Sequence, residues 1–462
     1  MAMGKRKRER QEDLFIAAGS LPRSPGHPFY RRLNALLAEA GFDRWIESRC
    51  ERYYEQEERR GQPSIPPGVY FRMLLVGYFE GIDSQRGIAW RCADSLSLRD
   101  FLGVPVDDRT PDHSTLTYTR QRLPAEVFEE VFQFVLGIAQ ARHLVSGKQV
   151  AVDSTTLEAN AAMKSIVRRD TEEDWKTYVT RLMREEGALE AEEQPSDEDV
   201  RRFDQGRKHK QVGNGEWTSP SDPDSRIARM KDGTTHLAYK AEHVIDLQSD
   251  LIVAAEIRPA DHGDTQTLVD SLMVAQANLQ HIKSKIQIEE VVADKGYHAA
   301  DTLELCASFG LRTYIPEPTR KQRWRWTDRS VDHQRAVHLN RRRMQHAKGK
   351  RLQRQRSEQC ERSFAHVCNS GGMRRTWLRG LADVSKRYLV ATAAHNLSRI
   401  LRTLFGTGKP RALQGRSGLL GLAQSAISRR LRSDRIAMAY LQRNPATRRP
   451  WLWPSVDFAI AV

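Results

Sequence analysis

The sequence predicts an all-α N-terminal region followed by a mixed α/β domain in which helices pack on a sheet. Three observations support this fold class. Apolar residues recur at helical spacing over much of residues 27–143. Two short apolar runs then end in aspartates, Asp153 and Asp294. After the first aspartate, strand-like and helix-like segments follow one another up to residue 315, as in domains whose helices cover a sheet.

The composition points to a polyanionic partner. The 462 residues allow two or three domains at about 150 residues each. A formal net charge of +15 favours nucleic acid or an anionic membrane surface as the partner. No apolar run approaches the ~20 residues of a membrane-spanning helix. The basic residues 1–10 have no apolar stretch behind them, so a secretory signal is not expected. We therefore expect a cytoplasmic protein that faces nucleic acid.

The cysteines indicate neither a disulfide framework nor a zinc site. Their number is odd and no two are spaced as CxxC, so we expect small core residues in a reducing compartment. They are Cys50, Cys92, Cys306, Cys360 and Cys368.

The N-terminal region divides into a basic arm, residues 1–30, and a helical domain, residues 31–145. One helix face is defined by Phe71, Leu74, Leu75, Tyr78 and Phe79. A second helix, with arginines on its other faces, is expected to begin at a Ser114 cap. Short helices with a basic face suit DNA contact, and a plain helical bundle is the alternative.

The α/β domain is expected over residues 146–405. Its segments are a strand at 150–153, an insertion at 160–235 with a helical part (170–203) and a loop (204–235), strands at 236–246 and 251–259, a helix at 264–282, a strand at 291–294, a helix at 299–309 and a strand at 311–315. This order matches a ribonuclease H-like domain once the insertion is set aside. Residues 406–462 form a basic tail.

A basic segment precedes the last helical part of this domain. Residues 319–356 contain fourteen Lys or Arg and two acids, with Trp324 and Trp326 among them. Basic residues neutralise phosphates, and aromatic rings stack on bases. A solvated basic helix is the alternative.

Three carboxylates stand where distant segments could converge: Asp153, Asp294 and Glu361. Hard divalent cations prefer such oxygen ligands. Taken singly, each residue also has an ordinary explanation, as a helix cap, an Asp/Gly turn and a surface glutamate. Glu358, three residues before Glu361, is the competing third carboxylate.

Several motifs resemble bacterial insertion-sequence transposases of the DDE class. The most specific is Asp-Lys-Gly-Tyr-His at 294–298. The others are Val-Asp-Ser-Thr at 152–155, Glu-Arg-Ser-Phe at 361–364 with Gly-Gly-Met-Arg-Arg at 371–375, and Thr-Pro-Asp-His-Ser-Thr-Leu at 110–116 with Arg120 downstream. The resemblance covers roughly residues 30–405.

The resemblance implies a ribonuclease H-like core that cleaves element ends and joins them to target DNA. It implies two divalent metal ions, magnesium or alternatively manganese, held by Asp153, Asp294 and Glu361. It also implies double-stranded DNA as the partner, a homodimer or higher oligomer on DNA, and a place at the bacterial nucleoid. A catalytically silent DNA-binding derivative and a nuclease of the same fold are the alternatives.

One position departs from the family pattern. Many members have a lysine seven residues after the glutamate, where this chain has Cys368. Arg362, Arg374 or Arg375 are the candidates to replace that charge. The other expected DNA contacts are Lys295, Arg341, Arg342, Arg343, Trp324 and Trp326. A further group near the strand ends suggests either a metal or proton-transfer site or an ordinary turn network: His243, Asp246, Asp261, His262 and Asp264.

Overall fold

The computed structural model describes residues 26–54, 64–190, 192–207, 213–230, 232–282, 285–319 and 330–410. Its N-terminal part is helical, as predicted. The helices are α1 (Pro28–Glu39), α2 (Phe42–Cys50), α3 (Pro67–Glu80), α4 (Gln85–Ala93), α5 (Leu96–Leu102), α6 (His113–Arg122) and α7 (Ala125–Ala141).

Local sequence accounts for the ends of these helices. Helix α3 begins at Pro67, where the fixed φ of proline suits a first turn. It ends at Gly81, whose φ of 72° is left-handed and favours glycine. Helix α6 corrects one expectation: Asp112, and not Ser114, is its N-cap, because the Asp112 carboxylate accepts the Ser114 backbone N–H.

The α/β part contains these elements: β1 (Gln149–Glu158), β2 (Val167–Arg168), α8 (Trp175–Glu185), α9 (Asp197–Gly206), β3 (Trp217–Thr218), β4 (Arg226–Arg229), β5 (Thr235–Asp246), β6 (Leu251–Pro259), α10 (Asp264–His281), β7 (Glu290–Ala293), α11 (Ala300–Ser308), β8 (Arg312–Tyr314), α12 (Val331–Gln345), α13 (Ala347–Phe364) and α14 (Leu381–Phe405).

The main sheet has the ribonuclease H-like arrangement. Its strand order is β6–β5–β1–β7–β8. Strand β4 also pairs with β5, along residues 235–238, whereas β6 pairs with residues 239–246 of β5. Strand β5 is antiparallel to both β1 and β6, whereas β1, β7 and β8 are parallel. Two expectations were wrong in detail. The first strand does not end at Asp153 but continues to Glu158, and the 204–235 loop contains β3 and β4.

The insertion forms a small unit beside the sheet. Strands β2 and β3 pair with each other, and α8 and α9 enclose a separate core of Val179, Met183 and Val200. The predicted helical part of the insertion is therefore confirmed.

Helix α14 joins the sheet to the N-terminal helices. It packs on β6, α7 and α3, and one continuous hydrophobic core spans both parts. Arg120 Nε lies 3.0 Å from Asp383 Oδ2, and Lys386 Nζ donates to the Arg120 carbonyl. The five cysteines are buried and form no disulfide. No described helix is long and apolar enough to cross a membrane.

Candidate active site

The sheet places Asp153 and Asp294 side by side. Val152 of β1 is in register with Ala293 of the parallel strand β7. Asp153 directly follows Val152 in the chain, and Asp294 directly follows Ala293. Neighbouring strands lie about 4.8 Å apart, and residues in register point to the same face of the sheet. Although 141 positions separate them in the chain, these two aspartates therefore stand on neighbouring stretches of backbone at the end of β7.

Asp153 accepts hydrogen bonds through both carboxylate oxygens. Arg356 Nη1 on α13 lies 2.9 Å from Oδ2, and the Ser154 backbone N–H donates to Oδ1 at 2.9 Å. The Asp153 side chain is 24% exposed although the residue stands inside a strand. It remains accessible because β7 ends at Ala293 and no longer covers it from that side.

The Asp-Lys-Gly-Tyr motif forms a tight turn after β7. The Asp294 carboxylate caps this turn by accepting the Gly296 backbone N–H. A Cβ added at Gly296 would lie 2.6 Å from Asp264 Oδ2, so any side chain there would displace the Asp264 carboxylate. The buried Tyr297 hydroxyl donates to Glu242 Oε1 on β5 at 3.0 Å. Three residues of this motif therefore have a structural role in the turn: Asp294, Gly296 and Tyr297.

Asp264 is the member of the predicted mixed cluster that lies beside these two aspartates. Its Oδ1 accepts the Ser154 hydroxyl at 3.1 Å and lies 2.7 Å from Lys240 Nζ. The sequence places Asp264 at the first position of a helix that starts shortly after a core strand, but it does not distinguish the role of Asp264 from that of the other members of the cluster.

The rest of that mixed cluster does not join the site. Burial lowers the pKa of His243 to about 3. The imidazole lies between the Ser363 and Tyr388 hydroxyls at 2.9 and 2.8 Å. Asp246 accepts hydrogen bonds within a turn, from the Gln248 backbone N–H and a serine hydroxyl. Asp261 pairs with Arg226, and the His262 carbonyl accepts from Lys240. The turn-network interpretation therefore holds for Asp246.

Helix α13, which carries Glu361, packs on β1, β5, β7 and β8. Gln355 and Gln359 donate to the Leu247 carbonyl, beside the residue with which β1 begins. Ser357 and Glu361 lie on the opposite side of the helix and are linked by a 3.1 Å hydrogen bond. The Glu361 side chain is exposed there.

The three carboxylates are not gathered into one cluster. Among the residues that the structure describes, no three Asp, Glu, His or Cys side chains are close enough to hold a metal ion together. The competing residue Glu358 lies on the outer face of α13, where it pairs with Arg362. Burial raises the pKa of the Cys360 thiol, and the charges of Asp153 and Glu361 raise that pKa further. Both carboxylates are therefore close enough to Cys360 to act on it electrostatically.

The donor chemistry fits a divalent cation. Asp153, Asp294 and Glu361 supply only carboxylate oxygens, which hard cations prefer. The Arg356 guanidinium on Asp153 shows that this position already attracts positive charge.

The expected DNA contacts divide into exposed cations and cations that are bound within the protein. The exposed ones are Lys295, Arg342, Arg374 and Arg375. Arg374 donates to Thr155 Oγ1 on β1. Arg375 lies 3.6 Å from a carboxylate oxygen of Glu158. The other three bind within the protein: Arg341 to Glu317, Arg343 to the Thr313 carbonyl and hydroxyl, and Arg362 to Asp250. Cys368 is buried, and Trp324 and Trp326 lie outside the described residues.

Comparison with known families assigns both parts of the chain. A family model described as a transposase domain, DUF772, matches residues 20–122. A second, described as a transposase DDE domain, matches residues 198–397. The second match includes Asp294 and Glu361 and begins after Asp153. No curated protein and no solved structure matches the chain. The two matched domains and the ribonuclease H-like sheet together indicate a DNA transposase of the DDE class.

Proposed function

We propose that this transposase cleaves DNA at the ends of its element and joins those ends to target DNA, using Asp153, Asp294 and Glu361. The observation that carries the proposal is the pairing of Val152 with Ala293, which sets the residues just before Asp153 and Asp294 in register on adjacent parallel strands. Carboxylates that lie close together repel each other, and a divalent cation bound at the site would offset that repulsion.

Asp153 and Asp294 would hold divalent cations, with Glu361 completing the site from α13. When bound, magnesium or manganese ions neutralise charge on the attacking and leaving oxygens of a phosphoryl transfer. The side of α13 that carries Glu361 is exposed. Closure of this side onto DNA would bring the third carboxylate to the other two.

The reaction consists of two phosphoryl transfers at the same carboxylates. Water first attacks the phosphodiester at the element end, and the bond to the 3′ oxygen breaks, leaving a 3′-hydroxyl. That hydroxyl then attacks a target phosphodiester, forming one new bond while releasing another 3′-hydroxyl. Lys295 and Arg374 lie beside the aspartates, so both would hold the DNA backbone in line with the attack.

The N-terminal helices would bind the element ends. They bear the DUF772 match, and α14 fixes them to the catalytic sheet through Arg120 and Asp383. Joining two ends in one event requires two active sites, so we infer a homodimer or higher oligomer assembled on DNA at the nucleoid. A nuclease of the same fold would cleave without joining, and a silent derivative would bind without cleaving.

A supercoiled plasmid that carries the element's own ends tests the proposal. The wild-type protein with Mg²⁺ should nick and excise at the ends, and should join them to a second plasmid. Asp153→Asn and Asp294→Asn should abolish cleavage while keeping DNA affinity within about twofold. Asp270→Asn, an exposed aspartate on α10, is the matched control. Cleavage without joining would favour the nuclease, and binding without cleavage would favour the silent protein.

A further inference from the structure

We propose that Asp264 is a positioning residue that sets the placement of Asp294 relative to Asp153. The inference rests on the proposed function, because it concerns how the two aspartates are held ready for a divalent cation. Asp264 contacts both β1, which carries Asp153, and the turn after β7 that carries Asp294. Asp264 is itself paired with Lys240 on β5.

The anchor is a buried lysine on β5. Lys240 is 6% exposed, and its Nζ lies 2.7 Å from Asp264 Oδ1. The same nitrogen donates to Thr267 Oγ1 at 3.0 Å and to the His262 carbonyl at 3.3 Å. A buried ammonium needs such partners, because an unpaired charge is costly away from water. These bonds fix the start of α10, and with it the Asp264 carboxylate, against the sheet.

The first contact of Asp264 is with β1. The Ser154 hydroxyl donates to Asp264 Oδ1 at 3.1 Å. Ser154 directly follows Asp153, and its backbone N–H donates to Asp153 Oδ1. One residue therefore binds both carboxylates, its side chain holding Asp264 and its backbone holding Asp153.

The second contact is with the turn that carries Asp294. A Cβ built at Gly296 would lie 2.6 Å from Asp264 Oδ2 and 3.1 Å from Asp294 Oδ1. The two carboxylates thus lie against the same glycine. The turn is held on its far side by the bond from Tyr297 to Glu242. The turn is therefore held at two places, by Asp264 against Gly296 and by Glu242 through Tyr297. A movement of Asp294 relative to Asp153 would require the Asp264 carboxylate to move as well.

Charge makes this arrangement dependent on Lys240. The Asp264 carboxylate is paired with the Lys240 ammonium, whose Nζ lies 2.7 Å from Oδ1. Oδ2, the oxygen that does not face Lys240, lies against Gly296, as Asp294 Oδ1 does. Removal of the charge on Asp264 should take away the ion-pair partner of Lys240. The turn at Gly296 should then no longer be held in place by the Asp264 carboxylate.

The test measures cation binding directly, without DNA. Mn²⁺ is titrated into the full-length protein and followed by electron paramagnetic resonance, for wild type, Asp264→Asn and the control Asp270→Asn. Asp264→Asn should weaken Mn²⁺ binding at least tenfold, and the control should match wild type. Gly296→Ala, which leaves Asp264 intact but crowds it, should weaken binding by a similar factor. This second variant also decides the question if Asp264→Asn does not fold.

The outcomes separate this inference from the proposed function. Mn²⁺ binding in Asp264→Asn and Gly296→Ala equal to wild type, while Asp153→Asn abolishes it, overturns the positioning role alone. A wild-type protein that binds no Mn²⁺, or binds it equally after Asp153→Asn, overturns the proposed site itself. A merely structural role for Asp264 would lower the thermal unfolding temperature and leave the Mn²⁺ affinity of the folded protein unchanged, which also contradicts the inference.

Discussion

Arg356 Nη1 lies 2.9 Å from Asp153 Oδ2, so an arginine of α13 is paired with the first carboxylate of the site. The Arg356 side chain is only 13% exposed, which holds it against Asp153. A cation that binds Asp153 must compete with this guanidinium. The same guanidinium, once displaced, lies where a DNA phosphate would approach the carboxylates.

Arg356→Gln should therefore tighten Mn²⁺ binding and weaken DNA binding. We expect Mn²⁺ affinity in the absence of DNA to rise several-fold because a competing cation is removed. The slope of log DNA affinity against log salt should flatten by about 0.9, the contribution of one phosphate contact. Arg354→Gln, which removes an exposed charge from the same helix, is the control for Mn²⁺ affinity. A variant that matches wild type in both measurements would show that the pair is purely structural.

Glu361 and Glu358 can be distinguished by paired substitutions. Glu361→Gln should reduce cleavage of the element ends at least a hundredfold, since it removes a carboxylate that completes the site. Glu358→Gln should leave cleavage within about twofold, because Glu358 pairs with Arg362 on the outer face of α13. Initial rates on a plasmid substrate at saturating Mg²⁺ measure both. The reverse pattern would transfer the third-carboxylate role to Glu358.

Arg342 and Arg343 should separate DNA binding from stability. Arg342 is exposed, so Arg342→Gln should weaken binding to all DNA sequences alike and flatten the salt slope by about 0.9. Arg343 donates to the Thr313 carbonyl and hydroxyl and is partly buried. Arg343→Gln should instead lower the free energy of unfolding by about 1–3 kcal/mol, the cost of unsatisfied buried groups. Urea unfolding and fluorescence anisotropy at several salt concentrations measure the two effects. Equal effects of the two variants on the salt slope would contradict this division.

His243 should make stability depend on acid pH. Burial lowers its pKa in the folded protein from 6.5 to about 3. Protons therefore bind the unfolded chain first, and stability that is complete above pH 6.5 is lost as pH falls toward 3. The free energy of unfolding should decrease by about 1.4 kcal/mol per pH unit in that window for this residue. His366 and His395, whose pKa values burial also lowers, act in the same direction.

Urea unfolding at pH 5 to 7 checks this dependence. His243→Gln removes the titrating group and should reduce the slope by about 1.4 kcal/mol per pH unit, whatever its effect on stability at pH 7. An unchanged slope would show that folding does not lower the pKa of His243.

Much of the fold follows from local pattern. Strand β6 begins and ends where the apolar spacing predicts, and the bounds of β5 and α10 differ from prediction by one residue. Such segments can be predicted from sequence because side-chain periodicity and turn residues act over a few positions. The turn formed by Asp294, Gly296 and Tyr297 can be predicted for the same reason, since it is short.

Tertiary contacts decided the rest. Strand β1 extends through the polar residues after Asp153 because β5 supplies backbone partners up to Glu158, which no local pattern reveals. Asp264 joins the site only because α10 starts beside the turn at Gly296. Arg343 and Arg362 look like DNA contacts in the sequence, yet residues elsewhere in the chain bind their guanidinium groups. Whether a charged group faces solvent, a neighbour or a ligand depends on which distant segments pack around it, and that is settled only when the chain folds.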